Sequence, residues 1–375
     1  MEAMALPFDV CIRGAGIVGR TLALLLAQAR LRVALVAGRP GPGAAAADVR
    51  AYALNTASRA LLESVRSWPD PDHATPVRGM EVFGDGGGAV HFDAGVQGVE
   101  ALTWIVDVPA LETRLAEALR YQPLVELLDA PAPATLTVVC EGKASRTRAE
   151  FGVDYEVTPY PQHAIATRLR CEKPHGQIAR QWFAHGEILA FLPLDGPQGN
   201  SVAIVWSVLK ERVAQVQALA DEDFCRQLEA ASHQALGALK LASARAAWPL
   251  QLARAERWTG STGGQSWALA GDAAHTVHPL AGQGLNLGLA DAAALAKVLH
   301  EREYWRAVGD DKLLRRYERS RKAEVLSMGL ATDGLQQLFA LGDGPWGALR
   351  NWGMKGFEAS GPLKDWIARR AMGLR

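Results

Sequence analysis

The sequence predicts an α/β fold in which a parallel-stranded domain is interleaved with an antiparallel-sheet domain and followed by a helical C-terminal region. Three observations predict it. The chain opens strand, glycine turn, helix, strand over "FDVCIRGAGIVGRTLALLLAQARLRVALVAG" at 8–38. The hydrophobic period switches to two between about 154 and 210, as in strands with one buried face. A glycine-studded stretch, "GDAAHTVHPLAGQGLNLG" at 271–288, leads into an Ala/Leu-rich helical run.

In the opening unit Gly14, Gly16 and Gly19 stand as G-x-G-x-x-G between an apolar strand at 8–13 and the helix "TLALLLAQA". Glycines at that spacing permit a tight turn, close approach of a pyrophosphate and close helix–strand packing, with the helix N-terminus facing the anion. This predicts a Rossmann-like dinucleotide-binding domain. The second strand, "RVALVA" at 32–37, ends without the acid that usually holds the adenosine ribose: Ala37 stands there, followed by Gly38 and Arg39. Arg39 is a candidate for a phosphate or the adenine, or a solvated arginine.

Further along, 48–66 starts with an acid and an arginine (Arg50) and becomes an amphipathic helix. "MEVFGDGGGAVHFDA" at 80–94 reads as a hairpin closed by the Asp85–Gly88 turn. A helix over 107–120 has Asp107 as cap, an early proline, and Leu111, Leu115 and Leu119 on one face. "ATLTVVCEG" at 134–142 is a buried strand running into a turn, and 266–275 returns to a parallel strand before helices dominate from 283. The expected division is 1–78, 106–152 and 251–330 for the dinucleotide domain, 79–105 and 153–250 for the antiparallel domain, and 331–375 for the helical region.

Composition excludes several classes. Forty basic residues balance forty acidic ones, so no electrostatic case exists for nucleic acid. The longest apolar run, "TLALLLA" at 21–27, falls well short of the eighteen or so residues needed to cross a bilayer. Four scattered cysteines form no CxxC pair, and His275 and His278 lack other ligands at metal spacing, so no metal is expected. A first strand near Phe8 leaves no room for a signal peptide, and a cytoplasmic location is expected.

The most specific pieces are "GDAAHTVHPLAGQGLNLGLADAAALAKVL" at 271–299, "LPLDG" at 192–196 after the "ARQWF" strand, and the tail "TDGLQQLF...LRNWGMKGFEASGPLKDWIARRAMG" at 332–373. With them the chain resembles the single-component FAD monooxygenases, and within these the ubiquinone-biosynthesis hydroxylases. The resemblance implies FAD as cofactor, NAD(P)H as transient reductant, dioxygen, and a small lipophilic aromatic substrate hydroxylated through a flavin C4a-hydroperoxide. It implies that Asp272 binds the ribityl chain, with Gly271 letting the backbone close on it. Pro279, Ala281, Gly282, Gln283 and Gly284 would run along the flavin ring edge, where amides at a helix N-terminus stabilise negative charge. Pro279, Gly282, Gln283 and Arg50 are the expected catalytic positions. Asp107 would lie near the flavin or serve as a helix cap, His275 would position the loop, and Asn286 would brace it. Glu141 and Gly142 stand where the family has Asp-Gly against the pyrophosphate.

With Ala37, Glu141 and a shortened connection between Leu128 and Glu141, the adenosine-diphosphate side is weakened, and loose FAD retention is expected. Trp182, Phe183, Phe191 and Trp206 are candidate substrate walls, alternate members pointing into core. In the tail, Trp346, Trp352, Phe357, Trp366 and Ile367 among Lys355, Lys364, Arg369 and Arg370 suit peripheral membrane contact or docking in a quinone-biosynthesis complex. Two other readings stay open: a monooxygenase of another aromatic or polyketide, and a weakly flavin-binding, non-catalytic scaffold.

Overall fold

Val10 and Ile12 point one way from the first strand and Cys11 and Arg13 the other, and helix-spaced leucines follow within a few residues. A strand buried on both faces and a helix with one apolar face pair in only one way, the helix lying back across the sheet. The computed structural model describes residues 7–37, 48–84, 87–277 and 283–340.

In chain order the elements are β1 (Phe8–Arg13), α1 (Ile17–Gln28), β2 (Val33–Val36), β3 (Ala51–Leu54), α2 (Thr56–Ser64), β4 (Ala74–Val77), β5 (Gly79–Gly84) and β6 (Ala89–Asp93). There follow β7 (Thr103–Asp107), α3 (Val108–Arg120), β8 (Val125–Leu128), β9 (Ala134–Val139) and α4 (Arg146–Glu150). The antiparallel region holds β10 (Tyr155–Cys171), β11 (Ile178–Ala184), β12 (Glu187–Leu194), β13 (Ser201–Leu209), α5 (Lys210–Ala218), α6 (Asp221–Ala231), β14 (Leu239–Leu241) and β15 (Ala246–Ala255). The chain then runs through β16 (Thr259–Thr262), β17 (Gln265–Leu269), a 3-10 turn (Gly271–Ala273), β18 (His275–Thr276), α7 (Gln283–His300) and α8 (Asp311–Ala340).

One sheet has the order β16-β17-β9-β1-β2-β8, parallel except at the β16–β17 hairpin. Its core faces α1, α3, α7 and α8 through Leu22, Leu115, Leu289, Leu295 and the fully buried Tyr317. The second sheet has the order β18-β15-β10-β13-β12-β11-β5-β6, with β14 on β10. The 79–93 hairpin joins it by parallel pairing of β5 on β11, which is how the antiparallel unit comes to be interleaved with the parallel one. A third, small sheet, β3-β7-β4, sits between them.

The structure adds detail to the expected elements. The stretch 48–66 becomes a helix at Thr56, and β3 precedes it, because "AYAL" pairs with Thr103–Asp107 far along the chain. The strand β15 runs unbroken across position 250, so the antiparallel sheet continues to Ala255. Arg39, Asp85, His278, Pro279, Ala281, Gly282 and the tail from 341 lie outside the described residues.

The glycines of the first turn divide by purpose. Gly14 has φ +113°, and a Cβ there would lie 2.4 Å from the Cys140 carbonyl oxygen. A Cβ on Gly19 would lie 1.9 Å from the Gly14 carbonyl oxygen. Gly16 has nothing within 4 Å of that position. Gly19→Ala is therefore expected to destabilise the apoprotein by about 3 kcal/mol, as overpacking against backbone does. Gly16→Ala is expected to leave its thermal unfolding within about 0.5 kcal/mol of wild type. Equal unfolding temperatures for the two variants would contradict this division.

Candidate active site

The chain crosses from the β2–β8 side of β1 to the β9–β17 side, and at such a reversal the turns leaving adjacent parallel strands diverge and open a crevice at their carboxyl ends. Three turns line it: Gly14–Gly19 after β1, Glu141–Ser145 after β9, and Gly271–Ala274 after β17. The first helix, α1, starts at Gly16 with no side chain capping its amides.

Ties between distant segments hold the turns together. Arg148, 7% exposed, donates from Nη2 to the Lys143 carbonyl (3.0 Å) and from Nη1 to the Ala273 carbonyl (3.1 Å), which staples the second turn to the third. Its guanidinium lies 3.5 Å from the centroid of the Tyr155 ring, and the Tyr155 hydroxyl donates to the Asp272 carbonyl at 2.9 Å. Asp272 itself is open at the cleft surface, yet desolvation pushes its carboxyl up against the opposing pull of His275, Lys143 and Arg50. Burial also raises the Tyr52 phenol, with Arg50 opposing and Asp272 adding to it. Arg50, Tyr52, Lys143 and Asp272 thus share one electrostatic environment, drawn from three separate stretches of chain.

Arg50 is not a free cation. Its Nε and Nη2 form a fork on the Asp48 carboxylate (2.8 and 2.5 Å), and that hydrogen bonding holds its guanidinium above the ordinary arginine range. Arg168, on β10, reaches across from the antiparallel sheet to pin the same segment. It donates to the Val49 carbonyl (3.3 Å) and pairs with Asp107 at 2.5 Å. Asp107 also accepts from the Ala110 amide (3.0 Å), so its carboxylate is both helix cap and partner of Arg168.

Glu141 is turned inward. Its two oxygens accept from Ser145 Oγ (2.7 Å), Thr147 Oγ1 (2.7 Å) and the Thr147 amide (3.1 Å), and Arg13 Nε lies at 3.3 Å. Burial raises this carboxyl, but those donors and Arg13 outweigh it and hold it below the usual range. Gly142 has φ +77° and open space at its Cβ position. Asn286 is likewise committed: it accepts from the Asn55 amide (3.0 Å) and Ser58 Oγ (2.7 Å) and donates to the Ala53 carbonyl (2.8 Å), bracing β3 and α2 on α7. The helix α7 starts at Gln283, and Gly284 has nothing within 4 Å of its Cβ position. His275 is 2% exposed, stacks on Trp258 with centroids 4.8 Å apart, and bonds Asp291.

The candidate walls divide by face. Trp182, Phe191 and Trp206 point into the core under α5 and α6 with Phe224 and Leu228, not toward the crevice. Strand alternation puts Phe183 on the other side, with Ala179, Leu192, Leu194 and Ala203, which pack on Ala51 and Ala53 of β3. Residues that sequence reasoning missed have faint signals. Arg168 is an arginine between Thr167 and Leu169 in a long strand, and Asp291 is a lone acid in an Ala/Leu helix. Arg148 has none beyond its place three residues after a capping serine.

A crevice that takes a dinucleotide at the ends of parallel strands, roofed by an antiparallel sheet, is the plan of an FAD-dependent aromatic monooxygenase. The FAD binding domain family matches residues 132–328, just over half of the chain. The chain belongs to that family. It is 31% identical to ubiquinone hydroxylase UbiL of Rhodospirillum rubrum over 97% of this chain and 89% of that protein. It is 31% identical to 3-demethoxyubiquinol 3-hydroxylase of Escherichia coli over 98% of this chain and 99% of that one. Among solved structures, P. aeruginosa PqsL in complex with 2-aminobenzoylacetate superposes with a TM-score of 0.75, at 22% identity, over 93% of this chain and 99% of that one.

The inward carboxylate of Glu141 gives a pH test. Its pKa is depressed in the folded state, so its contribution to stability is present above the unfolded value and is lost as pH falls through the folded one. Glu141→Gln is expected to cost about 1 kcal/mol near pH 7, where charged hydrogen bonds are lost. The gap to wild type in denaturant titrations is expected to close as pH falls below roughly 4. A gap that stays constant from pH 7 to 3 would show that the charge of Glu141 contributes nothing.

Proposed function

We propose that the protein hydroxylates the aromatic ring of a prenylated phenol on the route to ubiquinone, with FAD in the crevice and NAD(P)H as a reductant that binds transiently. The observation that carries this is the full-length likeness to ubiquinone hydroxylases, met by a crevice whose glycines leave room for a flat ligand. The residues fit FAD. Gly16, Gly142 and Gly284 have open space where a Cβ would stand, while Gly14 and Gly19 are consumed by packing.

When bound and reduced, FAD supplies the chemistry of oxygen activation. The chain's own part is to bind, orient and keep water out. In this reading the α1 amides from Gly16 onward meet the pyrophosphate. Asp272 accepts from ribityl hydroxyls. The backbone at Gln283 and Gly284 would meet the ring edge and stabilise negative charge there, a role the resemblance also implies for Pro279, Ala281 and Gly282, which lie outside the described residues. Arg50, locked on Asp48, brings a fixed ion pair rather than a free cation. Among the described residues the adenosine end has little to hold it: Ala37 brings no carboxylate and Glu141 is spent inside its own turn. Substrate then lies between the ring edge and the part of the sheet face that carries Ala190 and Val205, beside Ala179 and Ala203, which are packed on β3.

In a strain lacking this protein, mass spectrometry is expected to find a prenylated phenol one oxygen lighter than the next intermediate, and wild type restores the pathway. Gly284→Val is expected to fold with an unfolding temperature close to wild type, to lose flavin absorbance and to fail to restore it. A fully yellow, complementing variant would sink the assignment of the α7 start to the ring.

A substrate with an isoprenoid tail resides in the bilayer, and no helix among the described residues is long and apolar enough to cross one. The aromatic and basic residues from Trp346 to Arg370 suit salt-sensitive membrane contact. Anionic liposomes are expected to pellet the full chain at low salt and to leave in solution a chain ending at Asp343. Equal pelleting of the two would assign the tail to packing.

A further inference from the structure

Asp291 lies two turns inside α7, fully buried, in a run of alanines and leucines. An ionised carboxylate in such a place is costly unless it is paired and its lone pairs are filled. Here they are. Oδ1 accepts from Arg321 Nε at 2.7 Å, and Oδ2 accepts from the Gly271 amide at 2.9 Å and lies 2.6 Å from His275 Nε2. Burial pushes the Asp291 carboxyl up, but His275 and Arg321 outweigh this and leave it below the ordinary range.

The partners come from three other segments: α8, β18 and the turn after β17. Arg321, itself 3% exposed, also reaches back to the Leu287 carbonyl on α7 at 3.4 Å, and pairs with Glu324. The imidazole of His275 is clamped against Trp258. The contact surface is tight. A Cβ on Gly288 would lie 2.8 Å from Val18 Cγ2, and one on Gly271 (φ +62°) would lie 3.3 Å from the same atom. A buried ion cluster of this kind is a poor source of net stability, since apolar residues of equal volume often do as well. What it supplies is position. One carboxylate sets the Gly271–Asp272 turn relative to the helix whose first turn begins at Gln283.

We propose that Asp291, with His275 and Arg321, is a positioning residue that holds the Gly271–Asp272 turn and the start of α7 in the mutual placement that bound FAD requires. This rests on the flavin site proposed above. The Gly271 amide and His275 share one oxygen, so loss of that oxygen's charge loosens the residue next to Asp272 and the strand after it together.

The test uses FAD itself as probe. Asp291→Asn keeps the volume but removes the buried counter-charge of Arg321, which retains its pair with Glu324. His275→Phe keeps an aromatic ring against Trp258 and removes the nitrogen that bonds Asp291. Fluorescence titration is expected to show FAD dissociation constants at least tenfold above wild type for both. At saturating FAD, the visible absorption bands of both are expected to differ from wild type, which a loss of stability alone would not cause. Should Asp291→Asn not fold, His275→Phe decides alone. Wild-type protein that binds FAD, with His275→Phe matching it in affinity and spectrum, overturns the positioning role only. Wild-type protein that takes up no FAD overturns the flavin site and this role with it.

Discussion

The contact on which the crevice depends is the one between Gly19 of α1 and the carbonyl of Gly14, so close that a methyl group at residue 19 would sit 1.9 Å from that oxygen. It brings the helix axis down onto the turn that leaves β1. From there the geometry propagates. Gly14 closes on Cys140, Val18 wedges between Gly271 and Gly288, and the turns after β1, β9 and β17 end side by side. Interiors packed at crystal-like density transmit such constraints, since no element can shift without displacing its neighbours. In the proposed reading a flat ligand with a charged middle would meet backbone amides here, where Gly16, Gly142 and Gly284 leave open space.

Charge is used as fastening in this protein. The chain carries no net charge, and the buried ions described above are each matched to groups distant in sequence. Arg168 joins the antiparallel sheet to Asp107 and to the carbonyl of Val49. Arg148 joins two turns through their carbonyls. A charged group with directional donors specifies one arrangement where a leucine would accept several. Such groups therefore gather where two segments must meet at a fixed distance, as they do around the crevice.

The antiparallel sheet divides its labour by face. Its large aromatics, Trp182, Phe191 and Trp206, build a core with α5 and α6. The opposite face is mostly small or aliphatic and packs in part on β3 and β7 through Ala51, Ala53 and Ile105. Bulk thus lies on the outer face, and the inner face is the one that packs on the small sheet.

Local chemistry by itself determined the βαβ opening, the Asp107 cap with its leucine stripe, the hairpin at 80–94, the long antiparallel stretch and the start of the final helices. In each, the periodicity and the turn residues act within a few positions of one another. The glycine turns were legible for the same reason, and the family resemblance added a role for Asp272. What only tertiary structure decided were the pairings between segments remote in the chain. The short strand at 51–54 exists because Thr103–Asp107 lies beside it. Glu141 turns inward because Arg13, Ser145 and Thr147 converge on it. The strand face that each tryptophan occupies follows from register, and a shift of one residue would have reversed it. Asp291 is the clearest case. In the sequence it is an acid misplaced in an apolar helix, and its sense comes only from an arginine thirty residues later and a histidine sixteen residues earlier meeting it in the dry interior.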